Sequence, residues 1–523
     1  MNKTRPAKQL NHLVFWPPFL LLLLAVVANI LVPESFQAVT KLVNDWILTN
    51  VGWFFSLVAF SSVLLCVAVC FSKFGQVRIG GSKAEPLMSY WNWFAITICT
   101  TIAVGILLWA TAEPLTHYWT PPASKNIPAS SPESASFAMS TMYLHWTFTP
   151  YAIYCAASLM FAFAYYNMKQ PFSLGSPLVP LFGERVTTMT GSFIDAICLY
   201  SLVAGMAATL GGGILIISGG LNYLIPTIPE KSPLIWALIA GLIIATFIIS
   251  SATGLLKGIR ILSTINTYAL IALAIFVFIA GPTIFILGFG LESFGIYLTK
   301  FFEMNLFADS MASLDGESKS WSRGWTIFYW AVWMAWTPIT ACFLGRICYG
   351  RTVRQIMMVN FVLPSLFGAA WMAIFSGTAL HMEMTELASF GDLVNPPDGS
   401  KPKLETVSYA MFEQLPLSVL LVVFYLGSTF VCFVTSADSN TTAMAAISTE
   451  GITPESSEGG LAVKIAWGVI MGAVAWVMIS FADIEGIKII SILGGFPAAI
   501  LILLVNISLL RVVLNYKKFN RVD

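Results

Sequence analysis

The sequence predicts an all-α integral membrane protein with twelve transmembrane helices. Two observations carry this. Of 523 residues, 57% are hydrophobic and only 10% charged, against about 25% charged in a soluble domain, so the chain lacks the charge to coat a water-facing surface of its size. Apolar stretches near the roughly 20 residues that cross a bilayer also recur from end to end. They cover 12–32, 51–72, 92–112, 138–166, 189–221, 233–255, 262–288, 321–345, 354–379, 414–437, 461–481 and 488–512. The longest of these point to tilted or broken helices.

The first stretch follows Lys3, Arg5 and Lys8 and is too long for the apolar part of a signal peptide. No small-residue cleavage site follows it, so it reads as a membrane span. With the N-terminus inside the cell, Lys and Arg favour the inner side by roughly two to one. Both termini are then expected in the cytoplasm, with a bacterial inner membrane as the home of the protein. Residues 1–11 read as a cytoplasmic arm, 12–512 as the membrane domain and 513–523 as a short cytoplasmic tail. Phe294, Leu298, Phe301 and Phe302 recur at helical spacing among Glu292, Lys300 and Glu303. That pattern predicts a surface amphipathic helix over about 291–305. The stretch 380–413, with Pro396, Pro397, Gly399 and Pro402, reads as an extracellular loop.

Several function classes are excluded. A net charge of +1 gives no footprint for nucleic acid. The eight cysteines lie in or beside apolar segments without CxxC spacing, as small hydrophobes do. HExxH, GxSxG and GxxxxGK[ST] are absent, so no enzyme is expected and no metal other than a coupling ion. Asp195, His145, Glu113 and His117 fall at or near span ends. They read as helix caps and snorkelling ends, with no spacing that would assemble a site.

The informative feature is aromatic. Residues 324–336 read GWTIFYWAVWMAW. At about 100° per residue Trp325, Tyr329, Trp333 and Trp336 share one arc of about 80°. Pro338 cannot donate to the carbonyl of Met334, so the helix is expected to kink or open there. The fourth span repeats the design in HWTFTPYAIY, residues 145–154, where Trp146, Tyr151 and Tyr154 lie on one side and Pro150 frees the carbonyl of Trp146. Interfacial girdles place one or two aromatics at a span end; they do not line one face through three turns. Ring faces attract weakly hydrated cations and are the usual recognition device for quaternary ammonium groups.

GWTIFYWAVWMAW, continuing as TPITACFLGRICYGRTVR, resembles the signature of the betaine/carnitine/choline transporter (BCCT) family. So do TAEPLTHYWTPP from Thr111, HWTFTPYAIY from His145, KGIRILSTIN from Lys257 and FVTSADSNTT from Phe433, in the family's order. The resemblance covers essentially the whole chain. It implies a LeuT-like inverted repeat of five plus five spans in helices 3–12, approximately 92–288 and 321–512. The substrate would then sit near the midplane between broken helices. It also implies a secondary active transporter that imports a quaternary ammonium compound (glycine betaine, carnitine or choline) by alternating access, and a homotrimer in the lipid bilayer.

Carried over by position, Trp146, Tyr151, Tyr154 and Trp333 are cage residues, Trp336 a second-site or gating residue and Phe328 an aromatic gate. Tyr329 joins them from its place on the arc. Tyr151 stands where many members have Trp, and Val332 where a Trp pair is common. Gly105 stands alone where betaine transporters carry several glycines, and no aspartate accompanies it, which favours a zwitterion over choline. Sodium is the implied coupling ion. Thr435 and Ser436 would supply hydroxyls, and Cys99 and Ile102 their carbonyls. Asn266 is neutral where sodium-independent exchangers carry an arginine. The alternatives are such a substrate/product antiporter, or an importer of a sulfonium analogue such as dimethylsulfoniopropionate.

Overall fold

The computed structural model describes residues 9–101, 105–229, 231–252, 255–313, 320–452 and 459–522. Among them the chain is helical, with two isolated antiparallel bridges, Leu10 to Thr449 and Arg78 to Thr352, and no strand. Eleven helices are long and apolar enough to cross a bilayer. A twelfth span is the pair Tyr90–Thr101 and Gly105–Trp119, whose axes lie 56° apart. The first helix, His12–Leu31, is capped by Asn11, whose side chain accepts from Val14 N. The second, Pro33–Phe71, starts well before the expected residue 51, because Pro33 at its first position and Glu34 in its first turn suit a helix N-terminus.

The fourth (Pro132–Asn167), fifth (Met189–Leu224) and eighth (Trp321–Ile347) spans are the inner ones, each 94% buried over its most apolar stretch. The first, sixth (Pro233–Ser250) and seventh (Ile261–Ala280) are 28–33% buried and form the outer layer. Leu24, Ile249 and Ile279 project from these outer helices as an apolar surface suited to lipid. Small residues let the inner helices approach closely. A Cβ on Gly213 would fall inside the Phe433 ring, 1.6 Å from its nearest atom.

Two inner spans are interrupted beside the aromatic rows. The fourth breaks at Thr147 (φ −124°, ψ −117°), three residues before Pro150. The eighth breaks at Trp325 (φ −128°, ψ −76°). The opening expected at Pro338 is not there, and Thr326–Ile347 runs straight through it. The Thr337 hydroxyl donates to the Trp333 carbonyl at 2.7 Å, beside the missing bond.

The amphipathic helix is two pieces, Thr283–Thr299 and Phe301–Asn305, so it begins before residue 291. Gly290, Ser293 and Tyr297 face inward, and Leu291, Leu298 and Phe302 face outward. The final helical stretch, Leu461–Phe519, carries the eleventh and twelfth spans, Leu461–Phe481 and Ile484–Phe519. Most of the tail expected at 513–523 is therefore helical.

Candidate functional site

The aromatic rows of the fourth and eighth spans converge on Trp333. Its ring centre lies 5.5 Å from Trp146, 5.4 Å from Tyr154 and 5.8 Å from Tyr151, at interplanar angles of 76°, 72° and 59°. Trp146 meets Tyr329 at 5.3 Å and 72°. All but the tilted Tyr151 pair are edge-to-face. Trp146, Tyr154, Phe328, Tyr329, Trp333 and Trp336 line one cavity of about 60 Å³, closed by Thr101 and Gly105 of the third span and Thr209 of the fifth. A water needs about 10–15 Å³ by this measure, so the cavity is tight. Tyr151, fully buried, packs behind Trp333 rather than on the cavity wall.

Two glycines seat Trp146. A Cβ on Gly105 would lie 2.7 Å from its indole ring, and one on Gly368 would lie 2.3 Å from its carbonyl oxygen. The freed Trp146 carbonyl thus abuts the ninth span, and the single glycine of the third span lets the indole rest on backbone.

Glu113, His117 and His145 correct the expectation that they cap span ends: all three are fully buried and converge. Glu113 Oε1 meets His145 Nδ1 at 2.6 Å and His117 Nε2 at 3.2 Å. Its other oxygen, Oε2, accepts from the Tyr329 hydroxyl at 2.6 Å and from Trp146 Nε1 at 2.9 Å. His145 Nε2 meets Thr326 Oγ1 at 3.0 Å, and the His145 ring stacks on Tyr329 at 4.6 Å. The spacing of His117 four residues after Glu113 was a legible helical pair; the arrival of His145 from the next span was not. Asp195 holds a loop to the fifth span, accepting from Leu174 N at 2.6 Å and Ser173 Oγ at 3.1 Å.

Lys488 was also missed. Its ammonium sits 4.5 Å from the centre of the Trp325 ring and 5.6 Å from that of Phe328, and donates to the Gly324 carbonyl at 3.4 Å. Ile484 and Ile487, on the same stretch of helix, line the aromatic cavity.

The residues expected to hold sodium are divided. The Cys99 thiol donates to the Ser263 carbonyl at 3.3 Å, and Asn266 Nδ2 donates to Cys432 Sγ at 3.0 Å and Cys99 Sγ at 3.6 Å. The third, seventh and tenth spans therefore meet there. The Thr435 hydroxyl donates to the carbonyls of Val431 at 2.9 Å and Cys432 at 3.0 Å. Ser436 Oγ is buried without a hydrogen-bond partner and lines a small cavity with Trp336, Phe433 and Thr209. Ile102 lies outside the described residues.

Residues 13–518 match the model of the BCCT, betaine/carnitine/choline family transporter. An ectoine/hydroxyectoine transporter of Virgibacillus pantothenticus is 29% identical, with 98% of this chain and 97% of that one covered. The betaine/ectoine transporter LcoP of Corynebacterium glutamicum is 32% identical over 96% of this chain and 78% of its own. The glycine betaine transporter OpuD of Bacillus subtilis is 30% identical over 96% and 94%. A solved sodium-coupled sialic acid symporter aligns over 88% of this chain and 85% of that one at 14% identity, with a TM-score of 0.44, too loosely to carry an argument. Signature, cage and full-length match agree: the chain belongs to the betaine/carnitine/choline transporter family, and is a membrane transporter rather than an enzyme.

Proposed function

We propose that this transporter imports a compact zwitterion carrying a quaternary ammonium group, driven by sodium, through alternating access around the Trp333 cage. The cage carries the reading. Trp146, Tyr154 and Trp333 meet edge to face about one buried cavity, and such faces stabilise a diffuse, poorly hydrated cation without a carboxylate. The tightness of the cavity suits a closed conformation that parts to admit substrate. Lys488 supports a zwitterion over choline. Its ammonium lies over Trp325 and Phe328 at the edge of the cavity, with the Glu485 and Glu113 carboxylates close enough to act on its charge without a direct ion pair. A substrate carboxylate would add a direct charge-assisted hydrogen bond to these longer-range interactions.

Sodium coupling is supported by the free, buried Ser436 hydroxyl and the neutral Asn266. In this reading Thr435 turns from its backbone partners to the ion, and the Cys99 and Ile102 carbonyls complete the shell. The third and eighth spans, both interrupted, open the two halves of the proposed LeuT-like repeat, 92–288 and 321–512. Both termini face the cytoplasm of a bacterial inner membrane.

The test is uptake of labelled glycine betaine into proteoliposomes, with and without an inward sodium gradient. Sodium-dependent accumulation is expected. Uptake that needs only unlabelled substrate inside, with no response to sodium, would replace symport by exchange. Uptake of dimethylsulfoniopropionate but not glycine betaine would move the assignment to sulfonium compounds.

A further inference from the structure

We infer that Glu113, His117 and His145 form a binding site for a borderline divalent metal ion, of which zinc is the best match. Their donor atoms all lie within 4.8 Å of one another, and all three residues are buried. Two imidazoles and one carboxylate, with a fourth position left open, make a zinc ligand set. Imidazole donors disfavour magnesium and calcium, which take oxygen.

The hydrogen bonds around Glu113 and His145 are arranged as a metal site needs. Oε2 of Glu113 already accepts from Tyr329 and Trp146, which orients the carboxylate and leaves Oε1 facing both rings. A ligating histidine donates its other ring N–H to a fixed partner, and His145 Nε2 lies 3.0 Å from Thr326 Oγ1. With the metal on His145 Nδ1 and His117 Nε2, the protons through which these atoms meet Glu113 Oε1 must pass to the other ring nitrogens. That proton on His145 faces Thr326. The Nδ1 of His117 is buried and without a partner as it stands.

Oε1 now lies 2.6 Å from His145 Nδ1 and 3.2 Å from His117 Nε2, and all three donors lie within 4.8 Å of one another. Ligand atoms around tetrahedral zinc lie about 3.3 Å apart, so His145 must retreat from Oε1 by under about 1 Å and the two imidazoles must settle at the same spacing from within 4.8 Å. Access is short. Thr326 and Trp321, which touch the two imidazoles, also line a separate cavity of about 400 Å³.

The experiment is calorimetric titration of the purified transporter in nanodiscs with ZnCl2, with CoCl2 for the visible bands of four-coordinate cobalt. One zinc per chain and a tetrahedral cobalt spectrum are expected. His117→Asn and His145→Asn should abolish both. Thr326→Val keeps all three ligands and should weaken zinc about 10–100-fold, which reads the site even if a histidine variant fails to fold. No saturable zinc binding, or unchanged binding in folded His117→Asn, overturns the proposal. Neither readout needs a transported substrate, so the zinc site and the transport reading fail separately.

Discussion

The aromatic cage and the Glu113 cluster share two residues and follow opposite rules. In the cage, Trp146, Tyr329 and Trp333 present apolar ring faces to a cavity. In the cluster, the same Trp146 and Tyr329 present their N–H and O–H to a buried carboxylate. Negative charge thus stands behind the rings rather than among them. In the proposed reading a cationic guest meets the rings, while the carboxylate draws on their N–H and O–H donors through charge-assisted hydrogen bonds. The cavity and the buried carboxylate are separated by the Trp146 and Tyr329 rings.

The largest effect expected in breaking this division is from Glu113→Ala. It strands the donors of Trp146, Tyr329 and His145, and should cost about 3–5 kcal/mol of stability, the range for breaking a buried pair. Thermal unfolding in nanodiscs reads it, and a wild-type midpoint would show that the carboxylate organises nothing. Trp333→Ala attacks the other side. It should weaken substrate binding by about 2 kcal/mol or more, about thirty-fold, while leaving the cluster's bonds in place. An unchanged dissociation constant would remove the cage.

Gly105→Ala sharpens the comparison by moving the shared residue. Its methyl would lie 2.7 Å from the Trp146 ring, and the overpacking should cost about 1–3 kcal/mol, seen as weaker binding and lower stability together. Lys488→Met tests the zwitterion reading. Glycine betaine affinity should fall about tenfold, the equivalent of 1.4 kcal/mol, with choline affinity little changed. A parallel loss of both would assign Lys488 to packing.

The smallest effect belongs to the surface pair Lys125–Glu303, 2.6 Å apart. Lys125→Ala should cost about 0.2–1 kcal/mol. The hydrogen bond from Lys125 holds the Glu303 carboxyl below its ordinary range. A depressed carboxylate contributes stability above its unfolded pKa of about 4.3, and the contribution is lost as pH falls through the folded value. The difference between variant and wild type should therefore vanish in acid, not in base.

The cage was legible because it is written locally. Trp325, Tyr329, Trp333 and Trp336 recur at the helical period, and Trp146 and Tyr154 stand eight residues apart, so one face of one helix already carries the pattern. The fourth-span break falls beside Trp146 and Pro150, where the sequence suggested an opening, but that of the eighth does not fall at its proline. Pro338 looked like the interruption of the eighth span, yet the helix continues through it and the break falls at Trp325. The cluster was not legible. Glu113 and His117 share a helix turn, but His145 and Tyr329 are 32 and 216 residues from Glu113. Rare polar residues near span ends have two outlets, water or one another, and only packing chooses.

By itself the sequence determined a membrane protein, the number of its spans, its family and the ring faces that line a cavity, because hydrophobicity and helical period are properties of consecutive residues. Tertiary structure decided which oxygen of Glu113 meets which ring, that Lys488 stands over Trp325, and that the Thr435 hydroxyl is held by backbone while that of Ser436 is free. Such choices rest on contacts between helices far apart in the chain, where a shift of an ångström turns a hydrogen bond into a buried, unmatched charge.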